Sequence, residues 1–168
     1  MPAPLDPDCL FRTLEHHGVR YVLVGGLAAV LHGSTVMTND ADIVPASDDD
    51  NVGRLAGALR DLEACLRTPE GPVPFDPHPA LLRSMSMLNM TTRCGDLDLT
   101  FRPAGIDDYE QLLAASVTFD IAEHRVHVAA LADVIRSKEA ADRPKDHATL
   151  PILRALQEEI HRSSEGPS

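Results

Sequence analysis

The spacing of apolar residues predicts an irregular alternation of helices and strands along the chain. A helical spacing predicts a first helix over 8–17 and a longer one from Ser47 to about Arg67. Short runs rich in β-forming residues predict strands at 21–24, 40–44, 86–92, 96–101, 117–121 and 125–128. Further helices are expected over 27–32, from Asp107 or Asp108 to Leu113, over 129–141, and from the break at 143–146 to about His161.

A proline-rich segment interrupts this pattern over residues 68–80, where five prolines occur. Because proline lacks the backbone N–H that helices and central strands need, the segment is predicted to be a loop. A loop of this length in a compact domain is either a lid or binding loop, or a disordered insertion. The sequence leaves both interpretations open.

Gly25 and Gly26 stand between the predicted strand at 21–24 and the helix at 27–32. Glycines at such a junction let the backbone approach a ligand closely, and a helix N-terminus offers free N–H groups to phosphate. A tight turn without a ligand would use the same residues. The order of strand, glycine pair and helix is therefore a candidate phosphate-binding element.

Asp40 and Asp42 stand two residues apart at the start of the second predicted strand. Residues i and i+2 of a strand project to the same face, so the two carboxylates are expected to lie close together. Unpaired carboxylates at that distance repel each other, and a cation between them relieves the repulsion. Mg²⁺ is the usual ion of an all-oxygen site, with Mn²⁺ as the alternative. A solvated turn is the other common use of this spacing.

The predicted strand at 96–101 carries two further aspartates on one face, Asp96 and Asp98. Two divalent ions need about three carboxylates besides phosphate oxygens to fill their coordination shells. One of these aspartates is therefore expected to join Asp40 and Asp42. Asp98 lies deeper in the strand and is favoured, with Asp96 as the alternative. In such a site Asp98 would bind the ion at an attacking hydroxyl and accept its proton.

The sequence Gly25-Gly26, thirteen further residues, and then Asp-Ala-Asp-Ile at 40–43 resembles the signature of the DNA polymerase β-like nucleotidyltransferase superfamily. The resemblance implies an α/β (α+β) fold, with a palm-like mixed β-sheet, packed helices and a helical C-terminal part. It also implies that Asp40, Asp42 and Asp98 are the catalytic and metal-binding residues and that the glycine pair binds the nucleotide.

Within this superfamily the stretch is most similar to the minimal nucleotidyltransferases and the AbiEii-type toxins. Gly33 and Thr38 match their local pattern, and the resemblance implies that Thr38 assists at the triphosphate. Val36 stands where that family usually carries Arg, and Ala41 where it usually carries Ile or Leu. These two departures concern one phosphate or structural contact and one apolar position.

Residues 138–146 resemble the C-terminal Lys…Arg-x-Lys/Arg-Asp motif of the AbiEii-type toxins. The resemblance implies that Lys138 contacts the triphosphate and that Asp146 lies in the wall of the active site. A lysine suits phosphate as a point charge. Without the resemblance, Lys138 would be an exposed helix-end residue and Asp146 a helix N-cap.

The implied domain organisation is a flexible leader at 1–7, a nucleotidyltransferase core at 8–128, a helical C-terminal part of the same domain at 129–162, and a disordered tail at 163–168. A chain of 168 residues has room for one such core. Its three cysteines are widely spaced and form no C-x-x-C motif, which predicts neither a zinc site nor a disulfide and favours a reducing, cytoplasmic location. No apolar run long enough for a membrane span is present.

The predicted function is metal-dependent transfer of a nucleoside monophosphate from an NTP, such as ATP, to an acceptor hydroxyl. By resemblance, the protein would be a toxin of a toxin–antitoxin pair that acts on the tRNA 3′ end and has a cognate antitoxin partner. A basic cluster of Arg136, Lys138, Arg143 and Lys145 could steer RNA. The net charge of −11 instead suits a cationic small acceptor of the aminoglycoside type. A non-catalytic antitoxin or binding protein is the third possibility, which Val36 supports.

Overall fold

The computed structural model describes residues 3–166, which form one eight-stranded sheet and seven helices. The strands are β1 (Tyr21–Val24), β2 (Asp40–Pro45), β3 (Cys65–Thr68), β4 (Gly71–Pro74), β5 (Met87–Thr92), β6 (Gly95–Thr100), β7 (Val117–Ile121) and β8 (His124–Val128). The helices are α1 (Pro7–His16), α2 (Gly25–Leu31), α3 (Asp49–Asp61), α4 (Pro79–Ser84), α5 (Tyr109–Ala115), α6 (Leu131–Ala141) and α7 (Pro144–Glu165).

The sheet is mixed, with the strand order β4-β3-β5-β6-β2-β1-β8-β7. β2 runs parallel to β6 and β1 parallel to β8, whereas the other neighbouring strands are antiparallel. The predicted fold class, a mixed sheet with packed helices and a helical C-terminal part, is thereby confirmed. Among these strand pairs, the parallel β2–β6 pair is the important one for a functional site, because it places two aspartate-bearing strands side by side.

The hydrophobic core is formed by the central strands together with buried residues from all seven helices. Leu10, Phe11 and Leu14 of α1 are buried, as their helical spacing predicted. Along β6, buried Leu97 and Leu99 alternate with half-buried aspartates, so the strand has one apolar and one polar face. The polar face therefore stays available for a site while the apolar face holds the strand in the sheet.

The predicted long helix is wrong at its C-terminal end. α3 ends at Asp61, and Glu63 has a positive φ of 54°, a left-handed conformation that stops the helix. Leu66 and Arg67, predicted as its last residues, lie instead in β3. Leu66 fits the helical spacing only by chance. It packs against the same core as the helix, but from a strand.

The predicted loop at 68–80 is also wrong for most of its length. β3 and β4 form a hairpin whose outer strand includes Pro72 and Pro74, and α4 begins at Pro79. β4 is the edge of the sheet, where a missing backbone N–H costs no ladder hydrogen bond on the open side. Proline at the first position of a helix is likewise favourable. The segment is therefore ordered, and its interpretation as a disordered insertion is wrong.

A disulfide joins Cys9 in α1 to Cys94 in the β5–β6 turn, which corrects the prediction that no disulfide forms. The two cysteines are 85 positions apart in sequence and come together only because α1 packs against this turn. The Asp6 N–H also donates to the Cys94 carbonyl at 2.9 Å, so part of the predicted leader is tied to the sheet. Cys65 is a free thiol.

Both helical ends of the chain differ from the predicted boundaries. α1 begins at Pro7 with Asp6 as its N-cap, and α7 continues to Glu165 instead of ending near His161. Residues 1 and 2 of the predicted leader and 167 and 168 of the predicted tail lie outside the described residues. Within residues 3–166, no helix is both long enough and apolar enough to cross a bilayer.

Candidate active site

Three carboxylates meet on the polar face of the β2–β6 pair. The parallel register places Asp42 opposite Asp98 and Asp40 opposite Asp96. One carboxylate oxygen from each of Asp40, Asp42 and Asp98 lies within 4.8 Å of the others, and all three side chains are half-buried. The structure thus brings together the three residues that the sequence analysis favoured. Hereafter these residues are called the triad.

Burial dominates the surroundings of the Asp42 carboxyl. Its burial, followed by the negative charges of Asp40 and Asp98, raises the pKa of the Asp42 carboxyl to about 7. The positive charges of Lys145 and Lys138 act in the opposite direction and lower this pKa. Both lysines therefore lie close enough to influence the triad.

The third carboxyl of the triad is perturbed in the same direction. Burial raises the pKa of Asp98 to about 6, the positive charge of Arg67 opposes the shift, and the negative charge of Asp40 adds to it. Raised pKa values of neighbouring carboxyls mark a place where negative charge is held without full compensation. A hard cation on these oxygens would supply the compensation. The donor set is all oxygen, which fits Mg²⁺ or Mn²⁺.

The predicted glycine pair packs directly against the triad and the segment that leads into β2. Gly25 opens α2 with a φ of +70°, and a Cβ there would lie 2.4 Å from Asp42 Oδ2. A Cβ on Gly26 would lie 3.0 Å from Thr38 Oγ1. Any larger residue at position 25 would therefore have to displace the Asp42 carboxylate. The glycine pair lets the first turn of α2 approach the acidic site.

Thr38 lies just before β2 and orients one carboxylate. Its Oγ1 donates to Asp40 Oδ1 at 2.9 Å. The structure places Thr38 beside the triad, and its role at the triphosphate stays a prediction. Val36, in the same segment, has a relative exposure of 37% and presents an apolar side chain at the position where the sequence resemblance implied arginine.

Lys138 and Asp146 lie together in the α6–α7 region. Lys138 Nζ is 3.3 Å from Asp146 Oδ1, and Arg143 Nε is 2.8 Å from Asp146 Oδ2. The Asp146 carboxylate is completely buried, but the hydrogen bonds and charge of Arg143, together with the charge of Lys138, outweigh this burial, so that the Asp146 pKa lies below its usual value. Asp146 is the third residue of α7 and not its N-cap, which is Arg143. Its carboxylate pairs with two cations, of which Lys138 lies close enough to influence Asp42.

Arg67 is the residue of this site that the sequence analysis missed. It extends from β3 across β5, and its Nη2 donates to Asp98 Oδ1 at 2.7 Å. Its Nη1 lies 3.1 Å from Asp96 Oδ2. No signal in the sequence could have revealed this role, because Arg67 was predicted as the last residue of a helix and its strand lies next to a proline-rich segment.

Two solved structures are similar to this chain over most of its length. LnuA, a lincosamide antibiotic adenylyltransferase in a lincomycin-bound crystal structure, has a TM-score of 0.58 and 15% sequence identity, over 92% of this chain and 99% of LnuA. An antigenic nucleotidyltransferase-like protein from Paracoccidioides brasiliensis has a TM-score of 0.54 and 18% identity, over 92% of this chain and 78% of that protein.

No family model matches the sequence, and no curated protein matches it at a significant level. The similarity is therefore one of three-dimensional structure at low sequence identity. This chain has the nucleotidyltransferase fold. The predicted closeness to AbiEii-type toxins stays a prediction.

Proposed function

We propose that this protein transfers a nucleoside monophosphate from an NTP to the hydroxyl group of an acceptor and releases pyrophosphate. The observation that carries the proposal is the convergence of Asp40, Asp42 and Asp98 beside the Gly25 turn. The nucleotidyltransferase fold supports the reaction class. The triad supplies the oxygen ligands that a metal-dependent phosphoryl transfer needs.

In this proposal the acceptor oxygen forms a bond to the α-phosphorus, and the bond from that phosphorus to the bridging oxygen of the β-phosphate breaks. In this scheme Asp98 receives the proton of the attacking hydroxyl, the role that the sequence analysis gave it. Asp40 and Asp42 would bind the cation through their carboxylate oxygens. Bound Mg²⁺ or Mn²⁺ would neutralise phosphate oxygens and lower the pKa of the attacking hydroxyl.

The triphosphate would lie between the start of α2 and the basic residues of α6 and α7. Gly25 and Gly26 keep this space free of side chains, and Thr38 holds Asp40 in place. Lys138 and Lys145 supply positive charge close to Asp42. Asp146, which pairs with Lys138, would form part of the wall of this site.

The acceptor is proposed to be a small molecule that carries a hydroxyl group and positive charge. Two observations favour this choice. LnuA, a lincosamide antibiotic adenylyltransferase, aligns over 99% of its length with this chain, so a chain of this size is compatible with a small acceptor. The net charge of −11 favours a cation over a polyanion.

A tRNA acceptor and a cognate antitoxin stay predictions from the sequence. The basic cluster on which tRNA steering depends is largely neutralised internally. Arg136 pairs with Asp133, and Lys138 and Arg143 both pair with Asp146. Lys145 is then the member of this cluster for which residues 3–166 provide no ion-pair partner. A single free cation is little support for binding a polyanion. The cytoplasmic location likewise stays a prediction.

The experiment is incubation with NTPs labelled at the α-phosphate or the γ-phosphate, together with Mg²⁺ and one of three acceptor sets: aminoglycosides, lincosamides or total tRNA. The proposal expects transfer of the α-label, but not the γ-label, to a small acceptor. Asp40→Ala should abolish transfer, and Asp107→Ala, which changes an exposed aspartate away from the triad, should not. Transfer to tRNA alone would favour the toxin, and absence of Mg²⁺-dependent NTP binding would favour a non-catalytic binding protein.

A further inference from the structure

Two aspartates of β6 face the same side of the sheet, yet one of them alone belongs to the triad. Asp96 lies opposite Asp40 in the strand register, and Asp98 lies opposite Asp42. Register and face therefore give Asp96 much the same access to a cation as Asp98. Something other than strand position must decide between them.

The decisive difference is the number of carboxylate oxygens that protein groups already occupy. Thr91 Oγ1 donates to Asp96 Oδ1 at 3.0 Å, and Arg67 Nη1 lies 3.1 Å from Asp96 Oδ2. Both oxygens of Asp96 are thus engaged. Arg67 Nη2 engages Asp98 through Oδ1 at 2.7 Å. Asp98 keeps its second oxygen for the triad.

Arg67 is itself held in place on a third side. Its Nη1 donates to the Met90 carbonyl of β5 at 3.2 Å, and its side chain is about two thirds buried, with 34% exposure. The planar guanidinium contacts the two aspartates through two separate nitrogens, Nη1 at Asp96 and Nη2 at Asp98, whereas a lysine would have to serve both from one nitrogen. This geometry favours arginine over lysine at position 67.

We propose that Arg67, together with Thr91, selects which carboxylate of β6 binds the cation of the active site. It locks Asp96 out of the site and holds Asp98 in it. Arg67 is a positioning residue in this scheme and contacts neither nucleotide nor acceptor. The inference rests on the cation site of the proposed function, but it concerns ligand choice and needs no catalytic turnover for its test.

The test is a calorimetric titration with Mn²⁺ of Asp96→Asn and Asp98→Asn, each in the natural background and in Arg67→Met. In the natural background, Asp98→Asn should weaken Mn²⁺ binding by about tenfold and Asp96→Asn by less than about threefold. In the Arg67→Met background, Asp96 no longer pairs with position 67, so Asp96→Asn should weaken Mn²⁺ binding about as much as Asp98→Asn does. Arg60→Met, which removes an exposed arginine that pairs with Asp76, is the matched control and should preserve the natural difference.

Thr91→Val provides a second route that keeps the charge of Arg67. It frees Oδ1 of Asp96 and should also increase the cost of Asp96→Asn, and it serves if Arg67→Met does not fold. The inference would be overturned if Asp96→Asn reduced Mn²⁺ affinity by the same factor in all backgrounds, or if the natural protein bound no Mn²⁺. Selective Mn²⁺ binding without nucleotidyl transfer would support it while the proposed function failed. Nucleotidyl transfer, combined with an effect of Asp96→Asn on Mn²⁺ affinity that is the same in all backgrounds, would support the proposed function and overturn this inference.

Discussion

A Cβ atom on Gly25 would lie 2.4 Å from Oδ2 of Asp42, so these two residues cannot both keep their places if position 25 has a side chain. Gly25 also has a φ of +70°, which side chains rarely adopt. One glycine therefore links the backbone turn at the start of α2 to the position of a carboxylate in the triad.

Gly25→Ala should displace Asp42 and reduce nucleotidyl transfer strongly. The backbone strain and the overlap together should cost about 1–3 kcal/mol of unfolding free energy, measured by urea denaturation. Gly53→Ala is the matched control, because a Cβ there meets nothing within 4 Å. As an exposed residue inside α3, Gly53 should gain about 0.5–1 kcal/mol of stability on this change. Full activity in Gly25→Ala would contradict the close contact.

The stability of the metal-free protein should fall as the pH rises from about 5 to about 8. The pKa values of Asp42 and Asp98 are raised to about 7 and about 6, above the value of about 3.9 for an unfolded aspartate. The folded state therefore binds more protons than the unfolded state in this range, and raising the pH removes that advantage.

Thermal unfolding of chelator-treated protein measures this effect. Added Mg²⁺ should raise the Tm more at about pH 8 than at about pH 5, because the carboxylates must lose their protons to bind it. Asp42→Asn should flatten the pH dependence. A Tm that rises across this range in the metal-free protein would show that the triad carries no uncompensated charge.

Replacing Lys138 and replacing Lys145 should have different effects on stability and on NTP affinity. Lys138 contributes to the neutralisation of fully buried Asp146, so Lys138→Met should lower both stability and NTP affinity. Lys145 is exposed, so Lys145→Met should raise the KM for NTP by about fivefold with little change in Tm. Arg154→Met, which removes an exposed cation paired with Glu139, is the control. Equal effects of the two lysine variants on Tm would refute this division.

Reduction of the Cys9–Cys94 disulfide should destabilise the protein. Because the bond closes a loop of 85 positions, its loss should cost about 4 kcal/mol, measured by urea denaturation with and without reductant. A thiol assay of the denatured, unreduced protein should detect one thiol, that of Cys65. Cys65→Ser should leave the stability nearly unchanged. Detection of three thiols without reductant would mean that the disulfide does not form.

The parts of this site that the sequence predicted depend on short-range patterns. Asp40 and Asp42 share a face because side chains in a strand alternate with a period of two residues. Gly25 indicates a turn whose backbone conformation other residues rarely adopt. Asp98 was favoured on the same alternation, although the sequence left Asp96 open. These patterns hold before the chain folds, so they can be identified without knowing which strands are neighbours.

The parts that were missed depend on contacts between distant segments. Arg67 meets Asp98 only because β3 pairs with β5, and the sequence offered no sign that residues 65–68 form a strand. Cys9 and Cys94 meet only because α1 packs on the β5–β6 turn. Strand order and helix packing decide such contacts, and a helical spacing that continues by chance conceals them.

The central claim is that the triad forms a metal-dependent nucleotide site, and calorimetric titration of a non-hydrolysable NTP analogue tests it most directly. The natural protein should bind the analogue with Mg²⁺ and lose this binding in a chelator. Asp42→Asn should weaken the Mg²⁺-dependent binding by about tenfold or more while the protein stays folded. Binding that is the same in chelator, or the same in Asp42→Asn, would contradict the account.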